Sequence, residues 1–88
     1  MTIPTTAAVV LEQRCAHPDG AWTEIRLARG ARGFAYRLAF GRNEACLLCY
    51  EHTEPNGHAR ILRGRATPYV FRSVEQLRYD FERDVEPL

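Results

Sequence analysis

The residues with the clearest chemical potential lie in one short stretch, NGHARILRGRATPY, residues 56–69. It contains one histidine, three arginines and a tyrosine, and it has no acidic residue. Arginine presents a planar fork of donors that matches a phosphate group and stays charged. Imidazole exchanges protons near neutrality. Metal-free cleavage of RNA needs these groups, because it requires a base, an acid and cations that stabilise a charged phosphorane.

We therefore assign candidate roles within and just beyond this stretch. His58, Arg60 and Tyr69 are the candidate catalytic residues, with His58 as the proton-transfer group and Tyr69 as a hydrogen-bond donor. The candidate nucleic-acid contacts are Arg60, Arg63, Arg65 and Arg72. The same pattern also suits a solvated, arginine-rich connection between a strand and a helix. A further structural use is an ion pair from Arg63 or Arg65 to an acidic helix, which contributes little if it is exposed.

Two cysteines invite a zinc interpretation that their context opposes. Cys46 and Cys49 are separated by two residues, and His52 and His58 follow them. The segment ACLLCYEH has the composition of a strand, in which side chains three positions apart point to opposite faces. Two thiolates on such a strand do not converge. We expect no metal and no cofactor, and we interpret the cysteines as small buried hydrophobes.

Other catalytic patterns are weak. No serine or threonine lies on a nucleophile-elbow motif, and the glycine pairs lack the spacing of a phosphate-binding loop. Glu51 and Glu54 flank the arginine-rich stretch, but acids beside a polar loop are usually solvated.

Composition narrows the class of protein. Eighty-eight residues, 45% of them hydrophobic, predict a single domain over residues 1–88 with a small core. No stretch approaches the ~20 apolar residues of a membrane span, and the N-terminus lacks the pattern of a signal peptide. We therefore expect a cytoplasmic protein with no membrane association.

The net charge of +1 conceals an uneven distribution. All twelve basic residues are arginines, and they dominate the middle of the chain. Acids dominate the end, namely Glu75, Asp80, Glu82, Asp84 and Glu86. This asymmetry indicates a polyanion or a partner of complementary charge.

Hydrophobic periodicity predicts the elements that position these residues. Alternating or apolar runs at 7–16, 21–29, 34–40 and 45–52 predict strands joined by short turns such as HPDG. Brief strands are predicted at 61–62 and 68–71, and a Ser73-capped helix at 73–85. The predicted fold is α+β: an antiparallel meander of four to five strands with one C-terminal helix. We expect the helix to cover the face that carries Phe34, Tyr36, Leu38 and Phe40.

Several motifs, in order from about residue 9 to residue 86, resemble the TumE-like toxins of bacterial toxin–antitoxin modules. They are GFAYRLAFGR at 33–42, Tyr50-Glu51, RATPYVF at 65–71 and SVEQLRYDFERDVE at 73–86. The resemblance implies a toxin that acts on RNA, as a metal-independent ribonuclease, and is silenced by a cognate helix-turn-helix antitoxin.

The chain departs from that family in the arginine-rich stretch. The family carries a histidine-arginine-histidine loop there. Ungapped alignment places Ala59 and Ile61 at the histidine positions, whereas a one-residue shift lets His58 stand for the first. His52, at the end of the preceding strand, is a candidate substitute for the missing histidine.

Two functional hypotheses therefore stand. The first is an RNA-directed toxin. The second is a non-catalytic module, a degenerate toxin or an interaction protein, whose arginines contact nucleic acid or an acidic partner. The exposed edge strands of the predicted sheet would also permit a homodimer.

Overall fold

A computed structural model describes residues 8–30, 33–52 and 57–88 of the chain. Its elements are β1 (Ala8–Ala16), β2 (Ala21–Gly30), β3 (Gly33–Arg42), β4 (Ala45–His52), β5 (Ala59–Leu62), β6 (Arg65–Pro68) and α1 (Val74–Val85). The strands form one antiparallel sheet in which sequence neighbours are also spatial neighbours. The predicted α+β meander with a C-terminal helix is confirmed.

Over the described residues the sheet has six strands rather than the four to five predicted. The additional strand comes from the arginine-rich stretch. This stretch was predicted as a connection with short strand fragments, and in the structure it forms the hairpin of β5 and β6. Arg63 and Gly64 make its two-residue turn with φ of 49° and 84°. Positive φ at both turn positions matches the twist of paired strands. An arginine at the first of these positions is an uncommon turn signal, so the hairpin is hard to recognise from sequence.

The core lies between the helix and one face of the sheet. Tyr36 and Leu38 of β3 lie opposite His52 and Tyr50 of β4, so their side chains point to the same face. Helix residues Leu77 and Phe81 join this cluster and are almost fully buried, as are the core side chains of Ala21, Leu27, Phe40 and Leu48. The helix covers the predicted face, although the side chain of Phe34 lies outside the described part of the structure.

Helix α1 begins where its capping residue predicts. The Ser73 hydroxyl accepts a hydrogen bond from the backbone N–H of Gln76 at 3.1 Å, which satisfies one of the unpaired donors of the first turn. Glu75 lies in that first turn and Arg83 in the last, where each charge suits the helix dipole. Asp80 is buried on the sheet-facing side of the helix beside Leu77 and Phe81.

The other face of the sheet carries ion pairs between neighbouring strands. Glu24 of β2 pairs with Arg14 at 3.2 Å and with Arg37 on β3. Arg26 pairs with Glu12 at 3.6 Å across β1 and β2. Two arginines from the middle of the sequence, Arg26 and Arg37, are therefore matched by carboxylates on neighbouring strands.

Within residues 8–30, 33–52 and 57–88, no helix has the length and apolar character needed to cross a membrane. The sequence GARG at residues 30–33 also predicts a turn, but residues 31 and 32 lie outside the described residues, as does Glu54.

Candidate functional site

The β5–β6 hairpin places most of the predicted site residues on one face of the sheet. Arg60 lies opposite Tyr50 on one side and Thr67 on the other. Side chains alternate along a strand, so His58 shares the face of Arg60. Tyr69 donates its backbone N–H to the His58 carbonyl at 3.1 Å, which puts it beside His58 on the same face. This is also the face that the helix partly covers.

The free end of the hairpin forms a basic concavity of about 340 Å³, lined by Arg60, Leu62, Arg63, Arg65 and Thr67. Arg63 and Arg65 are exposed. Among the described residues, neither takes part in an ion pair. We call this feature the arginine concavity. Unpaired guanidinium groups around one hollow suit an anion with several acceptor oxygens, such as a phosphodiester.

Arg60 both lines the arginine concavity and binds the helix through an ion pair with Asp84. Its Nε donates to Asp84 Oδ2 at 2.8 Å, and the Tyr50 hydroxyl donates to the same oxygen at 2.5 Å. Arg83 Nε lies 3.2 Å from the other carboxylate oxygen. The arginine-to-helix ion pair expected for Arg63 or Arg65 is therefore found at Arg60, because Arg60 lies under the helix while Arg63 lies in the turn.

Asp84 is held in its charged form. Burial by itself would raise its pKa, but the hydrogen bonds from Tyr50, Arg60 and Arg83 outweigh burial and lower the pKa. Burial and the Asp84 hydrogen bond together raise the pKa of Tyr50 to about 12, so its hydroxyl stays a donor. This cluster connects β4, β5 and α1 with charge-assisted hydrogen bonds.

Tyr69 connects the end of β6 to the helix. Its hydroxyl donates to Asp80 Oδ2 at 2.6 Å, and Gln76 Nε2 donates to the other oxygen of Asp80 at 2.8 Å. Burial and this hydrogen bond raise the pKa of Tyr69. Its ring meets the Tyr50 ring edge-on at 4.9 Å between centroids. The hydroxyl predicted to assist catalysis thus has an internal acceptor.

His58 lies in an aromatic group at the other end of the hairpin. Its Nδ1 is 2.8 Å from the Tyr36 hydroxyl oxygen, so that Nε2 is the nitrogen left for proton transfer. The ring stacks on Phe71 at 5.2 Å between centroids. Burial and the neighbouring His52 lower the pKa of His58, which favours the neutral, proton-accepting form near pH 7.

The structure brings His52 and His58 together. Their rings stack at 3.8 Å between centroids with an angle of 11° between planes. The strand register explains the contact: His52 lies opposite Tyr36, and His58 precedes the β5 residues that pair with β4. Nδ1 of His52 is buried and has no hydrogen-bond partner within the described residues. Sequence reasoning considered His52 only as a substitute, since its contact with His58 depends on a register that spacing does not reveal.

The imidazole pair and the arginine concavity occupy the two ends of the hairpin. Among described residues, His58 does not line the concavity. His58 directly precedes β5 and is four residues from Leu62, a distance of about 13 Å at the usual rise of a strand. Arg60 lies between them. One phosphate therefore cannot reach both ends, whereas a chain of successive phosphates can.

Arg72 is separate from both groups. It is exposed in the segment between β6 and α1 and does not line the concavity. The structure gives it no ion pair within the described ranges.

The three cysteines differ in their exposure. Cys49 is buried, and burial raises the pKa of its thiol to about 11. Cys15 and Cys46 are exposed, so the prediction of buried cysteines is wrong for these two. Cys15 lies on the edge strand β1 and Cys46 near the start of β4, where little covers either of them. The described residues contain no cluster of three or more metal-ligating side chains.

Comparisons of the chain with protein-family models, curated proteins and solved structures gave no match. The arguments for function therefore depend on the geometry above.

Proposed function

We propose that the chain is an RNA-directed toxin component, similar to the TumE-like toxins, that binds the RNA backbone along its β5–β6 hairpin. The observation that carries the proposal is the arginine concavity, with two exposed guanidinium groups that no carboxylate of the described residues neutralises. Arg63 and Arg65 bind one phosphate there. Phosphate contacts of this kind supply affinity without sequence preference.

The stacked histidines supply the chemistry in this proposal. With Nδ1–H of His58 donated to the Tyr36 oxygen, its Nε2 accepts the proton of a ribose 2′-hydroxyl. The 2′-oxygen attacks the adjacent phosphorus, the bond to the 5′-oxygen breaks, and His52 provides the second proton-transfer group for that leaving oxygen. The products are a 2′,3′-cyclic phosphate and a free 5′-hydroxyl.

Arg60 is the arginine nearest to the reacting phosphate in this arrangement. It is two residues from His58, about 7 Å along the strand. Its Nε is bonded to Asp84, which fixes the guanidinium plane, and its side chain remains 30% exposed. The terminal nitrogens of Arg60 are the donors we assign to the charged phosphorane.

Growth after induced expression tests the proposal. We expect wild type to arrest growth, and we expect His58→Ala and the double variant Arg63→Ala/Arg65→Ala to relieve the arrest. The control is Arg26→Ala, which removes an exposed arginine from the opposite face and should leave the arrest intact. Arrest that persists in both site variants at equal protein levels would contradict the site assignment.

The alternative is a non-catalytic module that binds nucleic acid or an acidic protein. The observation that favours it is the internal use of two predicted catalytic groups, Arg60 by Asp84 and Tyr69 by Asp80. Purified protein distinguishes the two functions. Binding of single-stranded RNA without cleavage, unchanged in His58→Ala, would support the module; a cyclic phosphate product lost in His58→Ala would support the enzyme.

The proposed partner is a cognate helix-turn-helix antitoxin, and the proposed location is the cytoplasm, where cellular RNA is available. Co-expression of a helix-turn-helix protein encoded beside this chain should abolish growth arrest and co-purify with the toxin. Arrest that such a protein does not relieve would contradict this partner.

A further inference from the structure

Strand β1 forms the long open edge of the sheet. Within the described residues it pairs with β2 on one side only, and no described strand pairs with the backbone N–H and C=O groups of its other side. The opposite edge strand, β6, has four residues and ends at Pro68, which cannot donate a hydrogen bond. β1 has nine residues and contains neither proline nor lysine. It therefore lacks two of the common devices that keep an edge from pairing, and its own protection is limited to a bulge near its start and to charged side chains.

A bulge limits the regular part of this edge. The register with β2 shifts between Val9 and Leu11, and a bulge bends a strand and interrupts its ladder. The regular part therefore extends from Leu11 to Ala16. Gln13 lies near its centre.

We propose that two copies of the chain pair through their β1 edges in an antiparallel dimer whose two-fold axis passes Gln13. In this register Gln13 lies opposite Gln13 of the second copy. Glu12 of each copy lies opposite Arg14 of the other, which gives two attractive pairs. Centring the axis on Glu12 or on Arg14 places that residue opposite itself, and like charges directly opposite are destabilising. Charge thus selects Gln13 among these three registers.

The charges that would meet are on the open face and are accessible. Side chains of Arg14 and Glu12 are 79% and 56% exposed. Each already has one partner on β2, Glu24 for Arg14 and Arg26 for Glu12. Dimerisation joins these pairs into one row of alternating charge. The row runs from Arg26 and Glu12 of one copy to Arg14 and Glu24 of the other.

The helix side of the edge is less polar. Leu11 is half-buried against the core, and in the dimer it lies opposite the exposed Cys15 of the second copy. A groove of about 250 Å³ adjoins the edge, with Gln13 and Ile25 on the sheet side and Phe81 on the helix side among its lining residues. The dimer would bring the two grooves to either side of the same axis.

Cysteine cross-linking tests the register. In a Cys15→Ser/Cys46→Ser background, Gln13→Cys puts two thiols directly opposite each other, at a Cα separation of about 5 Å that a disulfide spans. We expect mild oxidation to link most of the protein as a reducible dimer. The matched control, Glu12→Cys, separates the two Cα atoms by about 8 Å, beyond disulfide reach. Equal linkage in both variants, or none in either, would overturn the proposal.

Charge at the axis gives a second test without oxidation. In a dimer of Gln13→Glu, or of Gln13→Lys, two charges of the same sign face each other at the axis. In a mixed dimer of the two variants, a negative charge faces a positive one. By sedimentation we expect the wild-type chain of 10.1 kDa to be dimeric, each variant to be monomeric, and the one-to-one mixture to regain the dimer. Circular dichroism verifies that both variants are folded. A wild type that stays monomeric at every concentration, or a mixture that stays monomeric, contradicts the proposal. The dimer does not depend on RNA binding, because β1 and the β5–β6 hairpin are at opposite edges.

Discussion

Arginines at the two ends of the sheet share one chemistry but have different surroundings. In the β1–β3 half, Arg14, Arg26 and Arg37 each meet a carboxylate on a neighbouring strand. In the β5–β6 hairpin, Arg63 and Arg65 are exposed and meet none among the described residues. The sheet itself accounts for the first group. The second group is where an external anion is expected, so the pairing of arginines indicates function better than their number does.

Arg60 combines the two roles, because it pairs with an internal carboxylate and also faces the surface where an external anion is expected. It lines the arginine concavity and also holds Asp84. Arg60 should therefore contribute to stability in a way that Arg63 and Arg65 do not. Variants of Asp84, its acidic partner, test this difference between the paired and the unpaired arginines.

The largest effect on stability is expected for Asp84→Asn. The change removes the charge that accepts hydrogen bonds from Tyr50, Arg60 and Arg83. Hydrogen bonds to charged groups contribute about 1.5–3 kcal/mol, so we expect the free energy of unfolding to fall by about 2 kcal/mol. Urea denaturation measures the change. Glu82→Gln, an exposed acid on the same helix, is the control, and equal effects from both variants would contradict the structural role of Asp84.

A smaller effect is expected from the acid titration of His58. Burial and His52 lower its pKa below the ordinary value of 6.5. The folded state disfavours the imidazolium, so protonation of His58 costs stability. The stability of the neutral form is present in full above pH 6.5 and is lost as the pH falls through the lowered pKa. We expect the free energy of unfolding of wild type to decrease between pH 7 and pH 5 more steeply than that of His58→Gln. A His58→Gln slope equal to wild type would contradict the account.

The smallest effect is expected for Arg26→Ala. Its pair with Glu12 at 3.6 Å joins side chains that are both more than half exposed, and such pairs contribute about 0–1 kcal/mol. We expect the unfolding free energy to change by less than about 0.5 kcal/mol, and RNA binding to be unchanged, in parallel denaturation and binding measurements. A marked loss of RNA affinity would place the binding surface on the open face.

Local patterns in the sequence predict much of the fold. The alternation of Tyr36, Leu38 and Phe40 identifies the buried face of β3, and Ser73 marks the start of the helix. Each of these features depends on residues close in the chain. The hairpin of β5 and β6 was predicted only as strand fragments, because Arg63 in its turn adopts positive φ without a typical turn sequence.

The candidate site was predicted in part. Residue types identified His58 and the arginines, but their surroundings depend on partners far away in the chain. Asp84, 24 residues from Arg60, decides the use of that arginine. The stacking of His52 on His58 requires the pairing of β4 with β5. Neither feature has a local sequence signal, so only the folded register reveals them.

The most direct test of the central claim is the salt dependence of single-stranded RNA affinity for wild type, Arg63→Ala/Arg65→Ala and Arg26→Ala. Each phosphate contact adds about 0.7 to the slope of log affinity against log salt for a single strand. Because Arg63 and Arg65 are assigned to one phosphate, we predict that the double variant binds more weakly at low salt and loses about 0.7 from the slope, while Arg26→Ala retains the wild-type line. Identical lines for all three proteins would contradict the assignment of the arginine concavity as the phosphate site.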